Sequence, residues 1–228
     1  MQFHERTLQL LASEPLLGVT AAPAQPGLPA SVAEWTALNG WAILTKYSNM
    51  DWFGVGEAQA TDDGARGIPF HRENQGNFDR LFLLEHGEDP PVRFGWVGAP
   101  PWIVGASTFS DAVFAQVFDW QCKLEFIHGE PQMTYYAVVA YRDDAQLNSL
   151  GERFQEVATT WFCTESGRFV ERRFVVTSTL RLHSCRGDDE QGIIEVMGTD
   201  ASEIRTLHDE LVGLGFESRW RGRNNASS

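Results

Sequence analysis

Apolar residues recur at helical spacing twice near the start of the chain. The first pattern predicts a short amphipathic helix over about residues 4–13. The second predicts a further helix, because Ser31 and Glu34 have the spacing of a capping box and precede an apolar stripe. Asn39-Gly40 is expected to end this helix, since glycine adopts a left-handed backbone without a Cβ penalty.

Between residues 41 and 103 the hydrophobic period shortens to that of strands. Segments rich in β-branched and aromatic residues are separated there by Gly, Asp, Asn and Pro. The predicted strands cover residues 41–44, 78–84 and 92–96. A strongly amphipathic helix follows from Phe109 to about Lys123. The first half of the chain is therefore predicted to be helix, helix, sheet and helix.

The second half alternates in the same way between the two periods. A helical pattern runs over residues 147–157, and predicted strands surround it. These strands cover residues 134–141, 161–164, 169–179, 180–184 and 193–196. The final helix has the clearest signals, because Asp200 and Glu203 form a capping-box variant at its start and Gly215 closes it.

Composition indicates an ordinary globular protein with a strongly acidic balance. The 228 residues are 43% hydrophobic and 21% charged, which excludes disordered and collagen-like chains. The net charge of −13 produces a potential that repels phosphate backbones and anionic lipid headgroups. We therefore expect no nucleic-acid partner and no membrane partner.

The N-terminal residues, the lengths of the apolar runs and the cysteine spacing all favour a cytoplasmic location. The first residues lack the basic region and the uninterrupted apolar run of a signal peptide. No apolar run approaches the roughly 20 residues that cross a bilayer. Cys122, Cys163 and Cys185 are odd in number and widely spaced, which argues against a disulfide framework and suits a reducing compartment.

Five short motifs follow one another between residues 28 and 122. They are Leu28-Pro29 before a helix, Asn39-Gly40 at its end, Glu73-Asn74-Gln75-Gly76 at a strand edge, Asp89-Pro90-Pro91-Val92, and the helix that begins at Phe109. In this order they resemble the SUKH superfamily, which includes the fungal Smi/Knr cell-wall regulators and many bacterial immunity proteins against secreted polymorphic toxins. The resemblance covers a little under half of the chain.

The resemblance implies a fold and a mode of action. The implied fold is α+β, with a mixed, bent β-sheet packed against helices and, in this chain, a C-terminal α+β extension. The implied role is the binding of protein partners without catalysis. The corresponding division of the chain is an N-terminal helix (1–18), a linker (19–27), a SUKH-like domain (28–128), the extension or subdomain (129–218) and a disordered tail (219–228).

Two of the motifs also have physical interpretations of their own. The side chains of Glu73, Asn74 and Gln75 can either satisfy backbone groups at a sheet edge or face a ligand. The first role is favoured, because buried polar side chains usually pair with backbone. Asp89-Pro90-Pro91 is expected to stiffen the chain before an edge strand.

Local signatures of catalysis and metal binding are missing from the sequence. His71-Arg72-Glu73 has half of a zinc-deaminase signature, but no P-C-x-x-C follows. Cys163, His183 and Cys185 lack the spacing of a structural zinc site, so a buried thiol beside a hydrogen-bonded histidine is favoured there. No nucleophile elbow, P-loop or dinucleotide fingerprint occurs. We therefore predict no catalytic residue, no metal ligand and no cofactor.

Two features favour a binding function. Among eight tryptophans, Trp52 and Trp102 are predicted to fall in Gly- and Pro-rich loops, where they either anchor an interface or cover the sheet. The first 120 residues carry fourteen acids and six bases, a surplus that serves either a basic partner or solubility. The predicted partner-binding residues are Trp52, Glu73, Asn74, Gln75 and Trp102.

The leading hypothesis is a cytoplasmic immunity protein that neutralises a basic toxin domain, such as a nuclease, by stoichiometric binding. A second hypothesis is an intracellular regulatory or scaffold protein of the Smi/Knr type. A third is an enzyme whose site joins Cys163, His183 and an acid from distant parts of the sequence. The oligomeric state is left open.

Overall fold

The computed structural model describes residues 3–11, 27–48, 51–96, 99–123, 135–164, 167–187 and 191–221. The predicted linker, except for Gly27, and the part of the predicted tail after Arg221 lie outside the described residues. The chain divides into two compact units, one formed by Met1–Trp120 with Thr160–Glu165 and the other by Gln121–Thr159 with Ser166–Ser228. The domain boundaries derived from the sequence stay predictions.

The first unit combines helices with a sheet of antiparallel strands. Its elements are α1 (Glu5–Leu10), α2 (Ala30–Ala37), α3 (Gly40–Tyr47), β1 (Trp52–Phe53), β2 (Gln59–Ala60), β3 (Arg66–Arg72), β4 (Phe78–Leu83), β5 (Val92–Trp96), β6 (Ala99–Ala106) and α4 (Phe109–Lys123), whose last three residues belong to the other unit. The strands lie in the order β1-β3-β4-β5-β6, and β2 also pairs with β3. Every pairing is antiparallel.

The second unit has two helices and a further set of antiparallel strands. Its elements are β7 (Tyr135–Tyr141), α5 (Asp144–Arg153), β8 (Gln155–Thr164), β9 (Gly167–Thr177), β10 (Leu180–Gly187), β11 (Gly192–Gly198), α6 (Ala201–Gly213) and β12 (Glu217–Arg221). Strand β8 begins in this unit, and its residues from Thr160 onward belong to the first. The order is β9-β10-β11-β7-β12.

The predicted fold class, α+β with a mixed, bent sheet and a C-terminal α+β extension, is wrong. Strands hold 41% of the described residues and helices 32%, and the described strand pairings are antiparallel throughout. The motifs behind the class prediction mark helix ends and turns, which carry no information about strand direction. Strands joined by turns as short as residues 73–77 run antiparallel, because a parallel connection needs a dozen or more residues.

The helix that was expected to end at Asn39-Gly40 is followed directly by another helix. Asn39 adopts the left-handed conformation with φ +55°, so the asparagine makes the turn and Gly40 begins α3. Gly40 is needed for a different reason: a Cβ there would lie 2.0 Å from the indole of Trp35, which is fully buried. The strand predicted over residues 41–44 is therefore wrong, since a residue that turns the chain does not specify the next element.

The predicted capping box at the start of α2 is also wrong. Pro29 is the N-cap residue and no side chain caps the helix. The Glu34 carboxylate instead accepts 3.4 Å hydrogen bonds from the backbone N–H groups of Phe3 and His4. The His4 ring is buried and its Nε2 lies 2.8 Å from the carbonyl oxygen of Ser31. Glu34 thus attaches the N-terminal segment to α2.

The Asp89-Pro90-Pro91 segment precedes an interior strand, so the edge-strand prediction is wrong. Strand β5 lies between β4 and β6. The Asp89 carboxylate accepts hydrogen bonds from the backbone N–H of Ser110 at 3.0 Å and from its Oγ at 2.5 Å. This carboxylate satisfies groups at the first turn of α4, where the buried Phe109 begins the helix.

Several predicted elements are confirmed with close bounds. Strands β4 and β5 and helix α4 match their predictions, and α5 ends at Arg153, four residues before its predicted end. The start of α6 has the predicted cap, because Asp200 accepts hydrogen bonds from the N–H groups of Ser202 and Glu203. Its end is also as predicted, with Gly215 at φ +92°.

The core of the second unit lies between its helices and one face of its strands. Tyr141 is fully buried there, and its ring crosses Gly192, where a Cβ would lie 2.0 Å away. Burial raises the pKa of Tyr141 to about 12. The core residues are Ala137, Val139, Tyr141, Leu147, Leu150, Phe174, Leu180, Leu182, Ile194, Val196, Ile204, Leu207, Leu211 and Phe216.

We expect Gly40→Ala to lower the free energy of unfolding by about 1–3 kcal/mol, because the added methyl group overlaps the buried Trp35 ring. The matched control is Gly213→Ala on α6, where a Cβ meets nothing within 4 Å. That change is expected to raise stability by about 0.4–1 kcal/mol, since alanine restricts the unfolded chain. Urea unfolding of both variants measures the difference, and equal effects would contradict the role assigned to Gly40.

Candidate docking surface

One face of the first unit carries a row of residues that crosses five strands. The register pairs Trp52 with Arg72, Arg72 with Asp79, and Asp79 with Gly95. Directly opposed residues of antiparallel strands project to the same face. A Cβ added at Gly95 would lie 2.5 Å from the Trp102 ring, so this indole from β6 covers the glycine on that face. We call these five residues the tryptophan row.

The opposite face of the same strands holds the aromatic core. Side chains alternate along β4, so Phe82 points away from the face that carries Asp79. The Phe82 ring lies 5.7 Å from that of Phe109 on α4, and the Phe70 ring lies 5.2 Å from it. The tryptophan row therefore lies on the face that α4 does not cover.

Large apolar side chains are exposed along this face. Trp52 is 44% exposed and Val104 is 45% exposed, while Trp102 is partly buried. Val104 lies two residues after Trp102 on β6 and therefore shares its face. Exposed aromatic side chains are typical of protein interfaces, where one side chain desolvates a large area at a small cost in conformational entropy.

A bidentate ion pair lies in the middle of the tryptophan row. Arg72 Nε donates to Asp79 Oδ1 at 2.8 Å, and Arg72 Nη2 donates to Asp79 Oδ2 at 2.7 Å. The Asp79 side chain is only 4% exposed, whereas that of Arg72 is 52% exposed. These hydrogen bonds raise the pKa of the Arg72 guanidinium above its ordinary value. The pair fixes the side chains between the two indoles and neutralises both charges.

An acidic loop borders the tryptophan row on one side. Asp62 Oδ1 accepts a 3.3 Å hydrogen bond from the backbone N–H of Trp102, and Asp63 pairs with Arg93 at 3.2 Å. A hydrogen bond from the Thr61 hydroxyl lowers the pKa of Asp63. Residues 51–96 contain nine carboxylic acids and four arginines, so this stretch of the chain carries a surplus of negative charge.

The turn between β3 and β4 borders the other side and contains three of the predicted partner-binding residues. Glu73 Oε2 accepts hydrogen bonds from the backbone N–H groups of Gln75 at 3.1 Å and Asn77 at 3.2 Å, which is the structural role favoured from the sequence. Gly76 has φ +73° and closes the turn. The side chains of Asn74 and Gln75 are exposed.

The structure thus gathers the predicted partner-binding residues on one unit. Trp52 lies beside the turn that holds Glu73, Asn74 and Gln75, and Trp102 lies at the far end of the tryptophan row. Both tryptophans lie in strands, so their expected loop positions are wrong. Sequence reasoning missed Arg72 and Asp79, because only the pairing register shows that they meet.

The second unit contains the other group of chemically interesting side chains. His183 and Cys185 lie on one face of β10, as expected for a strand. His183 Nδ1 lies 3.1 Å from Glu195, and His183 Nε2 lies 3.3 Å from Glu171, which also accepts a 2.9 Å hydrogen bond from Arg173. Acids and bases alternate here in a network within β9, β10 and β11.

No protein-family model matches the chain, and comparison with curated proteins and with solved structures gives no significant match. The resemblance to the SUKH superfamily therefore stays a prediction. Every helix among the described residues is too short or too polar to span a lipid bilayer.

We expect Arg72→Ala to destabilise the protein by about 1–3 kcal/mol, because the buried Asp79 carboxylate would lose both hydrogen bonds. Arg93→Ala is the matched control, since it breaks a pair whose Asp63 side chain is 52% exposed. Its expected cost is roughly 0–1 kcal/mol. Urea unfolding gives both values, and a loss for Arg72→Ala no larger than the control would show that the pair does not stabilise the row.

Proposed function

We propose that this chain is a cytoplasmic protein-binding module that docks a basic protein onto the tryptophan row and performs no catalysis. The observation that carries the proposal is the exposed Trp52, aligned with Trp102 on a sheet face that α4 leaves uncovered. A hydrogen-bonded sheet holds its side chains in place before a partner arrives, which lowers the entropic cost of docking.

The charges around the tryptophan row favour a basic partner. Arg72 and Arg93 already pair with Asp79 and Asp63, so neither cation is available to attract an acidic protein. The surplus carboxylates produce a negative potential, which accelerates the approach of a basic partner. An indole also attracts ammonium and guanidinium groups through cation–π interactions.

The dimensions of the tryptophan row suit the centre of a protein interface. Four strand spacings separate Trp52 from Trp102, which corresponds to about 19 Å. A standard interface buries about 800 Å² on each partner. Aromatic side chains near the centre of such a patch provide most of the binding energy when surrounding contacts exclude water.

The narrower proposal is an immunity protein that neutralises a toxin domain by stoichiometric binding. The resemblance to the SUKH superfamily supports it, and a nuclease toxin would be basic because it must hold phosphate groups. A regulatory or scaffold protein of the Smi/Knr type is the alternative. The gene neighbourhood distinguishes them, since an adjacent gene for a large secreted protein with a variable C-terminal domain is expected only for an immunity protein.

The docking surface is tested by affinity capture from the native cell lysate, followed by measurement of binding with the purified partner. We expect Trp52→Ala and Trp102→Ala each to raise Kd at least 30-fold, which corresponds to a loss of about 2 kcal/mol or more. Val212→Ala is the control, because Val212 is an exposed apolar residue on α6 of the other unit. Unchanged affinity in both tryptophan variants would rule out the tryptophan row as the docking surface.

The electrostatic part of the proposal is tested by salt. We expect the association rate constant to fall at least tenfold between 50 and 500 mM NaCl, because salt screens the attraction between the acidic surface and a basic partner. Stopped-flow fluorescence measures the rate, with Trp52 as a natural reporter. A rate constant that does not change with salt would contradict electrostatic steering.

A further inference from the structure

We propose that His71 is the positioning residue of the tryptophan row, because it holds Trp52 in place from the opposite face of the sheet. Protonation of His71 releases β1 from the sheet and weakens docking. The part that concerns docking rests on the proposed function, whereas the part that concerns β1 is a property of the free protein.

The two residues that flank Trp52 both contact His71. Asp51 Oδ2 lies 3.0 Å from His71 Nε2, and the Phe53 ring stacks on the imidazole at 4.3 Å with an angle of 4° between the planes. Neighbouring side chains alternate across a strand, so Asp51 and Phe53 point toward the core face while Trp52 points outward. The imidazole therefore fixes the backbone on both sides of the exposed indole.

Strand β1 has few other attachments, since it is only two residues long. The backbone N–H of Gly54 donates to the carbonyl oxygen of Phe70 at 3.1 Å, and Ser48 Oγ donates to the carbonyl oxygen of Asp51 at 3.2 Å. A strand this short contributes little pairing energy. The position of Trp52 consequently depends largely on the side-chain contacts of Asp51 and Phe53, both of which reach His71.

The same carboxylate also holds the turn that borders the tryptophan row. Asp51 Oδ1 accepts a 3.0 Å hydrogen bond from the backbone N–H of Asn74. One aspartate thus connects β1, His71 and the turn over residues 73–77. Loss of the contact between Asp51 and His71 would affect both Trp52 and the exposed side chains of Asn74 and Gln75.

The contacts of His71 fit its neutral form. The hydrogen bond to Asp51 assigns the proton to Nε2, so Nδ1 carries the lone pair. Nδ1 is buried and has no hydrogen-bond partner among the described residues. A second proton would have to sit on this nitrogen, where it would be a buried donor without an acceptor.

Three charged groups act on the ring, Asp51 through a direct contact and Asp79 and Arg80 through their charges. Asp51, before β1, and Asp79 of β4 favour the protonated form, while Arg80 of β4 opposes it. Phe78 contacts the ring edge-on from β4, and α4 contributes the uncharged Trp120, which packs on Phe53. Burial is the largest influence and lowers the pKa of His71 below its ordinary value of 6.5.

Because burial lowers the pKa of His71, the attachment of β1 is expected to weaken at acidic pH. A histidine whose pKa is lower in the folded state binds its proton more tightly when it is released. The attachment of β1 is therefore complete above about pH 6.5, and it weakens as the pH falls toward the folded-state pKa. Acidification is expected to open β1 before the core of either unit unfolds.

Hydrogen exchange of the Gly54 amide in the free protein tests this step, because that N–H is bonded only while β1 is attached. We expect its protection factor, corrected for the intrinsic rate, to fall at least tenfold between pH 7.5 and pH 5. The protection of the Leu182 amide in the core of the second unit should not change. His71→Gln should abolish the pH dependence, and the exposed His86→Gln should leave it as in the wild type.

Asp51→Asn is the second variant and keeps the test decisive if His71→Gln does not fold. Removal of the Asp51 charge takes away a group that favours the protonated ring, so the pKa of His71 in the folded state falls further below that of the released ring. The loss of Gly54 protection on acidification should therefore be larger than in the wild type. Constant protection of Gly54 in the wild type, or an unchanged transition in His71→Gln or in Asp51→Asn, would overturn the role of His71.

The effect on docking is tested by measuring Kd for the purified partner at pH 7.5 and at pH 5.5. We expect Kd to rise severalfold at pH 5.5, by less than the roughly tenfold increase in β1 opening that one histidine allows over this range. The rise should occur in the wild type and His86→Gln, but not in His71→Gln. Wild-type binding with equal affinity at both pH values would overturn the inference and leave the proposed function standing. Failure to bind any partner at pH 7.5, together with opening of β1 at pH 5, would overturn the proposed function and leave the positioning role of His71 supported.

Discussion

The alternation of side chains across β3, β4 and β5 is the constraint on which the first unit depends. It directs Phe82 and Phe94 toward one face, where Phe82 packs against Phe109 of α4, and Asp79 toward the other. Because the register is set by pairing, a shift of one residue would move the phenylalanines away from α4 and turn the carboxylate toward that helix. The same alternation that builds the core therefore places Trp52, Arg72 and Trp102 on the face opposite α4.

Charged groups inside the strands meet only when the register is correct. Asp79 is buried on the face opposite α4 and accepts both hydrogen bonds from Arg72 of the neighbouring strand. A slipped strand would leave this carboxylate buried without a donor, which costs more than the pair contributes. The pair thus helps to specify one arrangement of β3 and β4, and the binding surface inherits that arrangement.

The sequence predicted local features well and long-range contacts poorly. The cap at Asp200 and the spans of β4, β5 and α4 depend on residues close together in the chain, and the structure confirms them. The direction of the strands and the helical residues 41–44 depend on packing that local patterns do not contain. Trp52 and Trp102 are identified by residue type and by their Gly- and Pro-rich neighbours. Arg72, Asp79 and His71 enter the site through register, which a single sequence does not reveal.

The shortness of β1 has a consequence for how the molecule behaves at high concentration. Strand β1 lies at the end of the strand order and exposes an indole beside the edge of a sheet, a position at which long flat strands recruit further chains into aggregates. Two residues offer too few backbone groups to template such growth, and the carboxylate of Asp51 adjoins them. The apolar Trp52 indole can therefore remain in solvent without causing the protein to self-associate through the β1 edge of its sheet.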